Sequence, residues 1–309
     1  MKTFVTTVAA AALLSGMAYA DGHGGERYVM ITHTQGTDPF WPVVEKGGRD
    51  AAEDIGAAFE YNFAPSGDMS DMSQLIEAAT ATQPDGLIVS LPDADALGGA
   101  IRAAVEAGIP VITMNSGLES SADLGALMHV GQPERDAGFA AGTRAMSEGV
   151  TNGLCLNQEA FNTALVDRCS GYFDAMGADL NQIDVSNDVA QIETRTAAAL
   201  TADPSIDGVL AVGPHVCAAA ATAIAEVGAE GIHLSCFDLS PEVINLIQDG
   251  TVSFTIDQQQ YLQGYMPVTV LHLYNNYAGL LPGANIPSGP GFVDASNAAG
   301  VAEQAGVNR

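Results

Sequence analysis

The sequence predicts an α/β protein with two similar lobes, each a parallel sheet flanked by helices, joined by three hinge crossovers. From Tyr28 onward, short apolar runs alternate with amphipathic helical patterns, separated by Gly, Pro or Asp. The scheme runs through the chain twice, and a polar residue ends an equivalent strand in each half. Alternating strands and helices require right-handed crossovers and a buried parallel sheet, which gives the predicted architecture.

The N-terminus predicts a cleaved secretory signal peptide over residues 1–20. Met1 and Lys2 precede an uncharged run from Phe4 to Leu14, and Ala18-Tyr19-Ala20 is a small-residue cleavage pattern. The apolar run is too short to span a bilayer, and no later stretch is long enough. We therefore expect an exported, soluble mature protein.

The first half of the chain predicts five strands and a conspicuous first strand-to-helix turn. In that turn, Asp38 suits a helix N-cap and Pro39 the first helical position, so that Phe40 and Trp41 follow directly. Two interpretations of Phe40 and Trp41 are equally open: they are the first core residues of the helix, or their rings face a ligand. The strands start near Tyr28, Ala58, Asp85, Ile109 and Gly125, with helices such as Pro39–Gly56 and Asp95–Gly108 between them.

The second half repeats this scheme with five more strands. They fall near Gly153–Leu156, Ile183–Val185, Gly208–Val212, Ile232–Phe237 and Val252–Ile256.

The two halves also match locally. Gly86 and Gly208 open similar strands 122 residues apart (208 − 86), and Asn115 and Asp238 end similar strands 123 residues apart (238 − 115). Ligands of open α/β sheets bind beyond the carboxyl ends of the strands. If the two lobes face each other, Asn115 and Asp238 look into one cleft.

Turn-rich segments predict where the chain passes between lobes. The candidates are His129–Pro133, Phe254–Gln258 and Leu281–Pro287. They divide the chain into an N-terminal lobe of residues 26–130 plus 257–282 and a C-terminal lobe of residues 131–256 plus 283–309.

Four cysteines in an exported protein predict disulfides, and three connectivities are possible. Cys155 lies in a predicted strand and Cys169 in the following helix, while Cys217 opens a helix and Cys236 ends the next strand. We expect Cys155 to pair with Cys169 and Cys217 with Cys236. Four free buried thiols are the alternative.

The charge is strongly negative. Ten Lys and Arg stand against 37 Asp and Glu, and removal of Lys2 leaves 9 − 37 = −28 for the mature chain. Such a field repels nucleic acid and anionic membranes. It also argues against a phosphorylated or polyanionic ligand.

The chain resembles the ribose/galactose-type periplasmic substrate-binding proteins of ABC sugar importers, which have the type I periplasmic binding protein fold. The resemblance runs from Tyr28 to about Leu280. Its motifs are Asp38-Pro39-Phe40-Trp41, Asp93-Ala94-Asp95-Ala96-Leu97, Gly108-Ile109-Pro110-Val111-Ile112, Phe237-Asp238 and Thr255-Ile256-Asp257-Gln258. It implies a periplasmic monomer that closes over one neutral monosaccharide or polyol and delivers it to a membrane permease, with no cofactor.

The resemblance also implies a set of ligand-binding residues. Asp38 matches the family position whose side chain hydrogen-bonds sugar hydroxyls. Phe40 and Trp41 match positions whose aromatic rings flank the sugar ring, and Gln258 matches the glutamine at the hinge. The sequence departs from the ribose-type pattern at Asn115-Ser116 and Ser90, among other positions, which argues against ribose itself. The expected set comprises Asp38, Phe40, Trp41, Ser90, Asn115, Asn162, Arg168, Asp238 and Gln258.

The residue types suit a sugar on physical grounds. Vicinal hydroxyls donate and accept, so planar acids, amides and an arginine at the rim, with an aromatic ring beneath, make a suitable site. Arg168 would also offset the carboxylate charges that closure buries. Two alternatives stay open: Arg168 as a surface arginine pairing with Asp167 or Asp174, and Asp238 as the N-cap of the helix at 240–242.

The lack of known catalytic motifs argues against other functions. The Gly-x-Ser-x-Gly, His-Glu-x-x-His, Walker and dinucleotide patterns are absent, so we expect neither an enzyme nor a metal site. Repressors share the two-lobed architecture, but a signal peptide stands where their DNA-binding headpiece would be. A sensory binding protein that presents its ligand to a chemoreceptor or sensor kinase remains the alternative function.

Overall fold

Two six-stranded sheets form two lobes with matching topology. The computed structural model describes residues 25–33 and 38–309, so the predicted signal peptide lies outside the described residues. The first sheet has the strand order β11-β5-β4-β3-β1-β2 and the second β12-β10-β9-β8-β6-β7. All neighbouring strands are parallel except β10 and β12. The predicted fold class is confirmed.

The first lobe contains β1 (Arg27–Thr32), α1 (Phe40–Ile55), β2 (Ala58–Phe63), α2 (Met69–Ala81), β3 (Gly86–Ser90), α3 (Ala94–Glu106), β4 (Val111–Met114), α4 (Leu118–Ser121), a 3-10 turn (Ala122–Leu124), β5 (Met128–Gly131), α10 (Gln260–Asn276) and β11 (Ile286–Pro287).

The second lobe contains α5 (Glu134–Ser147), β6 (Gly153–Asn157), α6 (Thr163–Met176), β7 (Gln182–Asp184), α7 (Val189–Ala202), β8 (Gly208–Ala211), α8 (Pro214–Glu226), β9 (His233–Phe237), α9 (Pro241–Gln248), β10 (Phe254–Asp257), β12 (Gly291–Asp294) and α11 (Ala298–Val301).

The internal repeat appears in the topology. Strands β1 to β5 occupy the same places in the first sheet as β6 to β10 in the second, with β3 opening at Gly86 and β8 at Gly208. Both central strands are buried along their whole length, because helices cover both faces of each sheet.

The third crossover comes later than the sequence suggested. Ile286 and Pro287 pair in parallel with Val130 and Gly131. Residues 286–287 therefore extend the first sheet, whereas the sequence assigned residues 283–309 to the second lobe. The chain crosses between β11 and β12, and this strand was missed because its two residues carry no alternating pattern.

Helix α1 begins one residue later than expected. Its first residue is Phe40, and Pro39 occupies the cap position. The carboxylate of Asp38 still accepts the Phe40 N–H at 3.0 Å, so Asp38 fixes the start of the helix from one position further out.

Glycines bring two helix pairs into backbone contact. A Cβ at Gly138 of α5 would lie 2.1 Å from the Arg168 carbonyl oxygen of α6, and one at Gly171 would lie 2.0 Å from that of Arg135. In the first lobe, a Cβ at Gly264 of α10 would lie 1.9 Å from the Val44 oxygen of α1. Only glycine permits these approaches, which hold α6 against α5 and α10 against α1.

Both expected disulfides are present. Cys155 of β6 is bonded to Cys169 of α6, and Cys217 of α8 to Cys236 of β9. Each bridge ties a helix to a strand of the second sheet. Among the described residues, no helix has both the length and the apolar character to cross a membrane.

Candidate functional site

The two lobes close on a small polar cavity at the carboxyl ends of both sheets. Its volume is about 30 Å³, far below the roughly 300–1,000 Å³ of typical ligand pockets, so the lobes must part to admit a ring-sized ligand. The lining residues are His33, Asp38, Phe40, Trp41, Asn115, Gln158, Glu159, Asn162, Leu165, Arg168, Val212, Gly213, Asp238 and Gln258.

The first lobe contributes an aromatic wall. Trp41 is 5% exposed, and its ring stands edge-on to Phe40 at 5.0 Å and to the His33 imidazole at 4.9 Å between ring centroids. Asp38, fixed at the start of α1, lies beside these rings. This wall combines an apolar ring face with a carboxylate acceptor.

The hinge glutamine joins the two strand-end residues of the repeat. Gln258 donates from Nε2 to Asp238 Oδ1 at 2.7 Å, and its Oε1 accepts from Asn115 Nδ2 at 3.4 Å. Asn115 and Asp238 both have left-handed backbones, with φ of +62° and +73°, a conformation that Asn and Asp tolerate. The backbone N–H of each residue also donates to a carbonyl oxygen of the neighbouring strand. Asn115 and Asp238 are therefore held in equivalent ways on the two sides of Gln258.

Arg168 lies in the cavity wall of the second lobe, 2% exposed. Its Nε and Nη2 donate to both carboxylate oxygens of Glu134 at 2.7 and 2.9 Å, and Nη1 donates to the Val212 carbonyl at 2.9 Å. Asp238 Oδ2 lies 3.5 Å from Nη1. This bidentate geometry locks the guanidinium plane, and its centre lies 4.6 Å from the Phe237 ring centroid.

Two open alternatives are resolved by position. Asp167 and Asp174, the surface acids considered as partners of Arg168, pair instead with Arg135, at 3.5 Å and 2.6 Å. The N-cap of α9 is Ser240, whose hydroxyl accepts the Val243 N–H at 3.1 Å. Asp238 therefore faces the cavity instead of capping a helix.

The loop between β6 and α6 reaches across to the first lobe. Asn162 caps α6 by accepting the Ala164 N–H, and it donates to Glu159 at 2.9 Å. Its Nδ2 also lies 3.3 Å from His33 Nε2 in the first lobe, and Glu159 lies 3.5 Å from the same atom.

Burial shapes the protonation of this cluster. Desolvation raises the pKa of Asp238 to about 7, although Arg168 and Gln258 act in the opposite direction. Burial likewise raises the pKa of Asp38, partly offset by His215. For Glu159 burial also favours the neutral form, but His33 and Asn162 outweigh it and lower the pKa. Burial opposes the charge of Arg168, yet Glu134 and Asp238 raise its pKa.

Eight of the nine expected ligand residues line the cavity, and Ser90 does not. The Ser90 hydroxyl lies behind His33, 2.8 Å from Nδ1 and 3.1 Å from the backbone N–H, so it orients the imidazole. Sequence reasoning missed Glu134 and Glu159. The position of Glu159 just after β6 was a signal, because the carboxyl ends of these strands face the cleft.

The groups at this site suit a polyhydroxylated ligand. Carboxylates and amides accept and donate around the rim, and Trp41 offers an aromatic face. Within residues 25–33 and 38–309, no group of three His, Cys, Asp or Glu side chains is placed to hold a metal ion.

Two hinged lobes that enclose such a cavity define a ligand-binding protein that works by closure. The family model described as "periplasmic binding protein domain" matches residues 28–276, and the chain belongs to this family.

Individual relatives are named as a carbohydrate transporter or as sugar-binding proteins. A carbohydrate transporter from Acidothermus cellulolyticus, solved in complex with myo-inositol, is 37% identical, with a TM-score of 0.87 over 91% of this chain and 98% of that one. The xylose/arabinose-binding protein of Sulfolobus acidocaldarius is 26% identical over 89% of this chain and 72% of its own length. The ribose import binding protein of Escherichia coli is 24% identical over 84% of this chain and 87% of its own.

Proposed function

We propose that this protein binds a neutral monosaccharide or cyclic polyol between its lobes, in the periplasm, and delivers it as a monomer to the permease of an ABC importer. The observation that carries the proposal is the ring of planar hydrogen-bonding groups from both lobes beside Trp41. It includes Asp38 and Asn115 from the first lobe, Arg168 and Asp238 from the second, and Gln258 at the hinge. In this proposal the ligand is released to the permease chemically unchanged, because the role is transport and not catalysis.

Charge supports a neutral ligand. The Arg168 guanidinium already donates to both carboxylate oxygens of Glu134 through Nε and Nη2. Asp38, Glu159 and Asp238 add three carboxylates to the lining. A phosphate or carboxylate on the ligand would be buried at low dielectric beside these acidic groups, which disfavours phosphorylated sugars and uronic acids.

A cyclic polyol is the first ligand to test. The relative that shares 37% of its residues with this chain was solved with myo-inositol, and an inositol ring offers a hydroxyl at every carbon to this acceptor-rich lining.

A thermal-shift panel tests the proposal. It would compare myo-inositol, D-xylose, L-arabinose, D-ribose and D-glucose, with ribose 5-phosphate, amino acids and nucleosides as contrasts. A ligand at 100 times its Kd adds about 2.7 kcal/mol to the free energy of unfolding. We expect a shift with a neutral ring and none with the phosphate. Shifts confined to amino acids or nucleosides would contradict the proposal.

Trp41 gives an independent readout, because it is the only Trp in the chain. A ligand that raises the melting temperature should also change tryptophan emission. Unchanged intensity and wavelength would remove Trp41 from the ligand's surroundings.

A further inference from the structure

One amide in the cavity wall has an oxygen that the protein leaves unpaired. Gln158 lines the cavity from the loop between β6 and α6 and is 7% exposed. Its side-chain oxygen Oε1 is buried, and no donor among the described residues reaches it. No other lining residue of this part of the chain has a buried side-chain polar atom without a partner. A buried acceptor without a donor costs free energy, so a donor from outside the protein would stabilise it.

The backbone on both sides of Gln158 is held in place. Asn157 Oδ1 accepts the Glu159 N–H at 2.8 Å, and the Asn157 carbonyl accepts the Val185 N–H at 2.9 Å. The Glu159 carbonyl in turn accepts the Asn162 N–H at 2.8 Å. These bonds pin the chain before and after Gln158, so its side chain extends from a fixed base.

The Gln158 amide occupies the space beside Gly213. A Cβ added at Gly213 would lie 2.7 Å from Nε2, 3.4 Å from Cδ and 3.6 Å from Oε1 of Gln158. Gly213 has φ of −163° and ψ of 159°, an extended backbone that any residue adopts. Glycine is therefore not required here by its backbone conformation. Its lack of a side chain makes room for the Gln158 amide.

Gln158 differs from the charged acceptors of the lining. Asp238 accepts from the Gln258 amide at 2.7 Å, and Glu159 accepts from Asn162 at 2.9 Å, so protein donors already orient both carboxylates. The Gln158 oxygen is neutral and has no such donor among the described residues. A ligand hydroxyl is the complementary group, because it donates one hydrogen bond and carries no charge.

We propose that Gln158 determines specificity by accepting, through Oε1, a hydrogen bond from one hydroxyl of the bound ring. This inference rests on the proposed function, because the donor is a hydroxyl of a ring held between the lobes. A ring that has only hydrogen at that carbon would leave Oε1 buried and unpaired. A site that accepts from a ligand hydroxyl rejects the analogue that lacks it, so Gln158 selects against a deoxy ring.

Gln158→Met tests the hydrogen bond with little change of shape. Methionine is also unbranched, and its thioether is only a weak acceptor. The ligand hydroxyl would be buried without an acceptor, so the affinity for myo-inositol in calorimetry should fall at least about fivefold. Because Oε1 has no partner among the described residues, the denaturant midpoint of the ligand-free protein should stay at the wild-type value.

Gln182→Met is the matched control. The side-chain oxygen of Gln182 is also buried and unpaired within the described part of the chain, but Gln182 lies in β7 and does not line the cavity. The same substitution there should leave the affinity for myo-inositol unchanged.

Monodeoxy analogues of myo-inositol identify the hydroxyl that Gln158 contacts. The wild type should bind the analogue lacking that hydroxyl at least about fivefold more weakly than myo-inositol. Gln158→Met should bind the same analogue about as well as myo-inositol, because two apolar groups then face each other. Losses at carbons contacted by other residues should persist in Gln158→Met.

Gly213→Ala tests the packing of the amide. In the wild-type background the added methyl group displaces the Gln158 amide and should weaken binding of myo-inositol. In the Gln158→Ala background no amide is displaced, so the effect of Gly213→Ala should shrink. The double-mutant cycle measures this coupling.

The outcomes separate this inference from the proposed function. Unchanged affinity of Gln158→Met for a ring that the wild type binds overturns the inference and leaves the proposed function intact. A lower unfolding midpoint of ligand-free Gln158→Met, with Gln182→Met at the wild-type value, assigns Gln158 a structural role and also overturns it. If another ring of the panel binds instead of myo-inositol, that ring and its deoxy analogues give the same readout. If no ring binds, the proposed function fails and this inference fails with it.

Discussion

At the scale of single residues, two arginines on packed helices show how burial assigns a role. Arg135 of α5 has a side chain 55% exposed and pairs with two surface acids, whereas Arg168 of α6 is buried against Glu134 and Asp238. Exposed ion pairs contribute little to stability. A buried network costs several kcal/mol when one partner is removed, because the remaining charges lose their compensation.

Arg168→Ala should therefore weaken ligand binding by more than about 2 kcal/mol, or roughly 30-fold, as measured by calorimetry. It leaves Glu134 and Asp238 buried without their cation, so we also expect a lower melting temperature. Arg135→Ala is the matched control and should change affinity by less than about 0.5 kcal/mol. Arg168→Lys keeps the charge but loses the bidentate fork, and should fold normally while binding weakly. Unchanged affinity in both Arg168 variants would remove this residue from the site.

At the scale of elements, glycines fix the helix that carries Arg168. The α5 backbone at Gly138 lies so close to the Arg168 carbonyl that a Cβ would stand 2.1 Å from it. The obstacle is backbone and cannot rotate away. Any side chain here must push α6 outward and with it the guanidinium.

Gly138→Ala should lower the free energy of unfolding by about 1–3 kcal/mol, the usual cost of overpacking, and weaken ligand binding as well. Gly99→Ala is the control, because Gly99 lies in the exposed face of α3 with nothing within 4 Å of the added Cβ. That change should stabilise the protein by about 0.5–1 kcal/mol and leave affinity unchanged. Denaturant unfolding gives the free energy of unfolding of each variant, and calorimetry gives its ligand affinity. Equal changes in both quantities for Gly138→Ala and Gly99→Ala would contradict the prediction.

At the scale of the whole molecule, a small number of polar contacts between lobes define the closed form. One of them is a backbone bond, from the Thr163 N–H at the start of α6 to the Pro92 carbonyl of the first lobe, at 3.1 Å. The Thr163 hydroxyl lies 3.3 Å from the same oxygen. Such contacts are broken when the lobes part, so they contribute to ligand affinity through the closure equilibrium.

Thr163→Pro isolates this contact. Thr163 is the first residue of α6, where proline is accepted because that N–H has no partner within the helix. We expect the free energy of unfolding to change by less than about 0.5 kcal/mol, while affinity falls roughly fivefold, about 1 kcal/mol. Thr163→Ala keeps the N–H and should stay near the wild type. Equal affinities for both variants in calorimetry would show that the bond does not contribute to closure.

The sequence by itself determined the architecture and placed eight residues in the lining of the cavity. Periodicity predicted the ten principal strands, because apolar runs bounded by Gly, Pro and Asp reflect burial within a parallel sheet. The internal repeat and the resemblance together predicted Asn115, Asp238 and Gln258, which the structure joins by hydrogen bonds. The disulfide pairs followed from the order of strands and helices, because each bridge joins neighbouring elements.

Only the tertiary structure decided which charges meet. Nothing local distinguishes Arg168 from Arg135, since both are helical arginines near acids, and their roles depend on which helix face is buried. Likewise, β11 joins the first sheet through two residues whose pairing with β5 involves a chain separation of more than 150 residues. The approach of Asn162 Nδ2 to His33 Nε2, at 3.3 Å, arises from the closure of two lobes, and long-range geometry of that kind leaves no periodic trace in a sequence.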